Sequence, residues 1–128
     1  MSAATILVVD DRSEDADLLA TILQTAFPLA TLCVAYGGKE ALDAAALRPP
    51  DVALVDLEMP FIDGVEVGFA LRTALPAGSP LIVGLSGNVL RLSSLKHKSP
   101  FDHRMVKPID IEALIDIVSG HLADKEGV

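Results

Sequence analysis

Thr5-Ile-Leu-Val-Val-Asp-Asp11 decides how the chain is read. It is a short apolar run, rich in β-branched residues, that stops at two carboxylates. Such a run has no polar face to turn to water, so it predicts a strand covered on both sides. Residues 12–27 follow with apolar positions at Ala16, Leu19, Leu23 and Ala26, joined by Leu18 and Ile22. That is the spacing of a helix with one face on a core. Ser13 is the expected N-cap, Glu14, Asp15 and Asp17 suit the positive end of the helix dipole, and Pro28 ends the helix.

The same alternation repeats along the chain. Strands are predicted at residues 31–36, 51–56, 81–85 and 104–106. Helices are predicted at 39–47, 65–75, 88–98 and from Asp110 onward, with Asp110 as a cap. Gly37-Gly38, Pro49-Pro50 and the 76–80 turn supply the breaks. A (βα)5 rhythm of this kind implies an α/β fold, a doubly wound five-stranded parallel sheet with helices on both faces. Ligands of such sheets sit at the carboxyl ends of the strands.

Composition sets limits. The 128 residues are 51% hydrophobic, enough to bury a core in one domain. Apolar runs fall far short of the ~20 residues that cross a bilayer, so no membrane association is expected. No basic-then-apolar leader opens the sequence, and the single Cys33 fits a reducing, cytoplasmic setting. His97, His103 and His121 share no metal-ligand spacing with Cys33, which argues against zinc. Cys33, Phe27 and Phe69 read as core; Phe61 and Ile62 read as exposed enough to touch a partner. The net charge of −8 disfavours direct nucleic-acid binding. One stretch runs the other way: Arg91, Lys96, Lys98, Arg104 and Lys107 against Asp102 give +4. It reads as a solvated face or as a docking surface for an acidic partner.

The strand ends carry the chemistry. The first ends in Asp10-Asp11, the third in Asp56, the fourth in Ser86 and the fifth in Lys107-Pro108. Neighbouring strands lie ~4.8 Å apart, so these groups can converge. Three converging carboxylates either share a proton or bind a divalent cation, and an all-oxygen cluster suits a hard ion such as Mg2+. A carboxylate left over can attack phosphorus, with a lysine and a hydroxyl to steady the transferred group. Singly, each residue has a plainer role: Asp11 as a cap, Ser86 as a turn residue, Lys107 as a solvated cation.

Taken together, Ile-Leu-Val-Val-Asp10-Asp11, Asp56-Leu-Glu-Met-Pro60 with Asp63-Gly64, Leu85-Ser86-Gly87 and Val106-Lys107-Pro108 resemble the receiver domain of two-component response regulators. The intervals are 45 positions from Asp11 to Asp56, 30 from Asp56 to Ser86 and 51 from Asp56 to Lys107. The resemblance covers residues 5–122 of a single domain spanning 1–128. It implies a flavodoxin-like sheet in the order 2-1-3-4-5 and a cis Lys107–Pro108 bond. Asp56 would accept a phosphoryl group from a phosphohistidine on a sensor histidine kinase or a histidine phosphotransfer protein. Asp10 and Asp11 would hold Mg2+, with Asp56 itself and the Glu58 backbone carbonyl as further ligands. Ser86 would bond the phosphoryl oxygen and Lys107 would pair with it. The phosphoprotein would reset by slow self-dephosphorylation, so the chain is a phosphoacceptor in a phosphorelay, not a turnover enzyme. Its output would be contact with a downstream protein through the fourth helix, fifth strand and fifth helix; homodimerisation stays open.

One position departs from the family. An aromatic residue commonly stands three before the lysine; here Arg104 does, preceded by His103, and the stretch Phe101-Asp-His-Arg-Met-Val-Lys-Pro108 resembles receivers attached to or working with hybrid histidine kinases, where this position is often histidine. The expectation is that Arg104 faces a partner or an acid on the last helix. Glu58 and Asn88 occupy positions that influence how water reaches the acyl phosphate. Two other readings stand beside the receiver: a Mg2+-dependent phosphatase of the haloacid dehalogenase type, and a scaffold that has lost its switch.

Overall fold

A computed structural model describes residues 4–75, 80–95 and 99–125. Five strands alternate with five helices: β1 (Thr5–Val9), α1 (Ser13–Ala26), β2 (Thr31–Ala35), α2 (Gly38–Leu47), β3 (Val52–Asp56), α3 (Gly64–Ala74), β4 (Leu81–Ser86), α4 (Val89–Ser94), β5 (His103–Val106) and α5 (Ile111–Lys125). All pairings are parallel and the sheet order is β2-β1-β3-β4-β5. This is the flavodoxin-like α/β sheet that the alternation and the motif resemblance imply.

Every residue of β1, β3 and β4 is buried, as continuous apolar runs require. The two-residue side-chain period then divides each strand between two cores. Leu7, Val9, Ala53, Val55 and Ile82 pack with Ala41 and Ala45 of α2 and Val67 and Leu71 of α3. Ile6, Val8, Val52, Leu54 and Val83 pack with Leu19 and Leu23 of α1 and Leu114 and Val118 of α5. β5 is an edge strand and largely exposed.

Several local expectations need correction. Arg12, not Ser13, is the N-cap of α1, and it makes no side-chain cap. Asp10 Oδ1 accepts from the Arg12 N–H at 3.0 Å, so the chain turns tightly off the strand end and Ser13 is already helical. Asp63, Asn88 and Asp110 do cap their helices, accepting from the N–H groups of Glu66, Arg91 and Ala113. Phe69 is 45% exposed and not a core residue. The buried stripe of α3 runs through Gly64, Val67, Gly68 and Leu71, and one residue past Gly68 turns the ring about 100° outward. Phe61 is fully exposed, whereas Ile62 is half-buried against Gly38. The described α4 is six residues long; Leu92 is buried in it, but Val89 is exposed. Lys96, His97 and Lys98 lie outside the described residues.

Gly64 brings α3 against the end of β3. A Cβ there would lie 2.1 Å from the Asp56 carbonyl oxygen and 2.6 Å from Leu57 Cα. Both obstacles are backbone, so relief requires moving the strand that carries Asp56. Gly64→Ala is therefore expected to destabilise the protein by about 3 kcal/mol, at the upper end of overpacking costs. Urea unfolding checks this, and an unchanged midpoint would show that the loop yields instead.

Candidate functional site

Parallel pairing delivers the strand ends to one edge. β3 lies between β1 and β4, with Val9 opposite Val55 and Asp56 opposite Leu85. β4 in turn sets Ser86 opposite Val106, and the Lys107 N–H donates to the Ser86 carbonyl at 2.9 Å. Each side chain of interest thus leaves the sheet at, or one or two residues beyond, a strand terminus.

The acids meet there. Oxygen atoms of Asp10, Asp11 and Asp56 all lie within 4.8 Å of one another. Asp10 and Asp56 are buried while Asp11 is exposed. Lys107 Nζ lies 3.2 Å from Asp10 Oδ2 and 3.4 Å from Asp56 Oδ1, bridging the two buried carboxylates. Burial pushes the Asp56 carboxyl up to about 6 from 3.8; Lys107 pulls against this, Asp10 adds to it, and the Glu58 N–H lowers it. For Lys107, burial lowers the pKa, but the carboxylates of Asp56 and Asp10 outweigh it and leave the ammonium raised. One lysine incompletely compensates three acids, so the edge retains negative charge. Its donors are all oxygen, and one of the three is open to solvent, which suits a hard divalent cation that keeps part of its water shell.

Ser86 and Glu58 form a second cluster beside the first. The Ser86 hydroxyl donates to Glu58 Oε1 at 2.6 Å and accepts from the Asn88 N–H at 2.9 Å. Arg91, from the first turn of α4, reaches Glu58 Oε2 at 3.1 Å, Asp63 Oδ2 at 2.9 Å and the Leu57 carbonyl at 3.2 Å. The Glu58 carboxylate is thus turned to Ser86 and Arg91 and is not one of the three clustered acids. Sequence reading singles out Asp10, Asp11, Asp56, Ser86, Lys107 and Glu58, but Arg91 only as part of a basic stretch. Arg104 donates to the Leu92 carbonyl at 2.9 Å, holding β5 to α4. This corrects the expectation of an acidic partner among the described residues of α5: the guanidinium instead joins the Leu95 N–H on the Leu92 carbonyl, near the end of α4. The peptide bond Lys107–Pro108 is cis.

Comparison with known proteins gives the class. The family model for the response regulator receiver domain matches residues 6–119, and the chain belongs to that family, the receiver module of two-component signalling. Among curated relatives, the protein-glutamate methylesterase/protein-glutamine glutaminase of Colwellia psychrerythraea is 38% identical over 96 residues, covering 75% of this chain and 23% of that protein. Its counterpart in Myxococcus xanthus is 34% identical over 93 residues, covering 73% of this chain and 27% of that protein. The chain spans about a quarter of the length of these relatives. Among solved structures, the receiver domain of Francisella response regulator 1452 is 28% identical with a TM-score of 0.79, covering 95% of this chain and 98% of that one. A CheY-like receiver domain protein from Methanospirillum hungatei shares the fold, with a TM-score of 0.84 at 23% identity over 98% of each chain.

The raised Asp56 pKa carries a signed consequence for stability. The folded state binds that proton more tightly than the unfolded chain, so the contribution of Asp56 is favourable at low pH. It is lost as pH rises from about 4 through about 6. In metal-free buffer, Asp56→Asn is expected to be more stable than wild type at about pH 7.5, with the gain shrinking toward about pH 4. Urea midpoints across the pH range measure this; a gain independent of pH would show that Asp56 is not the titrating group.

Proposed function

We propose that the chain is a phosphorylatable receiver, with Asp56 as acceptor. The observation that carries the reading is the grouping of Asp10, Asp11 and Asp56 oxygens within 4.8 Å beside Lys107. In this reading an Asp56 carboxylate oxygen attacks the phosphorus of a phosphohistidine. An O–P bond forms, the N–P bond breaks, and the imidazole leaves and takes up a proton. Asp10, Asp11, Asp56 and the Glu58 backbone carbonyl are the proposed holders of Mg2+, which would screen the charge of the transferred group. Lys107 pairs with a phosphoryl oxygen, exchanging a carboxylate partner for a stronger one. Ser86 supplies a hydroxyl donor. Hydrolysis of the acyl phosphate restores the starting state, so the chain acts as a stoichiometric acceptor rather than as an enzyme that turns over a substrate.

A groove of about 570 Å³ opens beside Asp10 and Lys107. Leu18, Leu19 and Ile22 of α1 line one side, with Pro108, Ile109 and Ile111 on the other. Leu18 is 61% exposed. We assign this groove to the histidine-bearing donor, a sensor kinase or a phosphotransfer protein, because an apolar helix laid there would bring its histidine to the acid edge. The output face is assigned to α4, β5 and α5, where Val89, Leu90 and Val106 are exposed, acting on a downstream protein, with self-association as an alternative use of the same face. A domain of 1–128 working in the cytoplasm, without membrane or nucleic-acid contact, completes the reading. Among the described residues no helix is long and apolar enough to cross a membrane. The phosphatase alternative needs its nucleophile at the end of β1 in an Asp-x-Asp arrangement, whereas Asp10-Asp11-Arg12 stands there, and the family match favours the receiver.

Incubation with acetyl phosphate and Mg2+ is expected to add one phosphoryl group by intact mass. Asp56→Asn and chelation of the metal should each abolish the addition. Sustained phosphate release without labelling would favour the phosphatase instead.

For the groove, Leu18→Asp should lower the rate of transfer from a protein donor, relative to that from acetyl phosphate, by about tenfold, the effect of losing one apolar anchor. An unchanged ratio would place the donor elsewhere.

A further inference from the structure

Glu58 is an acid two residues past the acceptor, and neither the acid cluster nor the lysine bridge uses its carboxylate. Its position is nonetheless closely specified. Oε1 accepts from the Ser86 hydroxyl at 2.6 Å, and Oε2 accepts from Arg91 at 3.1 Å. Arg91 is itself fixed by Asp63 Oδ2 at 2.9 Å and by the Leu57 carbonyl at 3.2 Å. Ser86 is wholly buried at the end of β4. A hydroxyl has one proton to donate, and here the proton goes to a carboxylate. The remaining bond of Ser86 is accepted from the Asn88 N–H, at the cap of α4.

We propose that Glu58 is an internal competitor for the phosphoryl group, holding the Ser86 hydroxyl in the unphosphorylated protein, and that Arg91 is the positioning residue that aims it. The inference rests on the phosphoacceptor reading and extends it to the resting state. A phosphoryl group on Asp56 can receive the Ser86 proton only when Glu58 gives it up, so part of the energy of the new bond is spent breaking an existing charge-assisted one. The release also reaches α4, because Arg91 lies in its first turn and Asn88 caps it. Glu58 therefore sets how readily the phosphorylated conformation forms, and the basic residue that holds it sits on the element that must respond.

The experiment measures the affinity of beryllofluoride with Mg2+, a mimic of the phosphorylated acid, by titration followed through amide chemical shifts. The proteins compared are wild type, Glu58→Ala, Ser86→Ala and the double variant. Removal of the competitor should tighten binding about tenfold, the worth of one charge-assisted bond. In the Ser86→Ala background the same change should have less than a twofold effect, because nothing is left to compete for. Glu58→Gln, which keeps the shape with a weaker acceptor, should fall between wild type and Glu58→Ala. Arg91→Ala should alter the affinity only while Glu58 is present. A full gain from Glu58→Ala in the Ser86→Ala background would mean that Glu58 acts by charge repulsion, and would overturn the competition. Equal affinities for wild type and Glu58→Ala would overturn it as well. Failure of every protein, wild type included, to bind beryllofluoride would bring down the acceptor reading and the inference together.

Discussion

Parallel pairing of β1, β3, β4 and β5 forces like charges together. Because all five strands run the same way, the polar residues that end them have one edge to occupy, and Asp10, Asp11 and Asp56 share it within 4.8 Å. Two of these acids are buried, where water cannot screen them. Lys107 is the internal answer to that repulsion, bridging Asp10 and Asp56 from the far side of β4. The site is thus a consequence of topology before it is a consequence of chemistry. A sheet that gathers acids at its rim must place positive charge beside them, and Lys107 supplies part of it.

The Ser86 side of the rim is built differently. Around Ser86 the polar groups are matched: Glu58 with Ser86 and Arg91, Arg91 with Asp63, Asn88 with the start of α4. An under-compensated acid cluster beside a satisfied network gives the edge two characters. The first is short of positive charge; the second has its donors and acceptors paired with one another. Arg104 adds to the pairing by tying β5 to the Leu92 carbonyl, in a family where an aromatic side chain commonly stands at that position.

How far this could be read from sequence follows from the range of the forces involved. β1, β3 and β4 are legible because burial on both faces demands unbroken apolar runs. The acids are legible because they stop those runs. Contacts between distant side chains are another matter. Nothing in the spacing of Glu58, Ser86 and Arg91 announces that they meet, since that depends on where two loops fold back over the rim. Phe69 misleads for a related reason: hydrophobicity says that a ring prefers burial, but the phase of α3 is set by Gly64, Gly68 and Leu71. The cap of α1 shifts by one residue because a carboxylate on the preceding strand end takes the N–H of Arg12.

The opposite end of the sheet is bolted. Arg72 of α3 donates to the carbonyls of Pro80 and Pro100 and to Asp102, while Asp102 accepts from the Ile82 N–H. These bonds join the beginnings of β4 and β5 to α3, leaving the finishing ends of both strands to face the rim. The roots of both strands are therefore fastened by groups that take no part in the acid rim, so the rim can be altered residue by residue without loosening the bolt that holds β4 and β5 to α3.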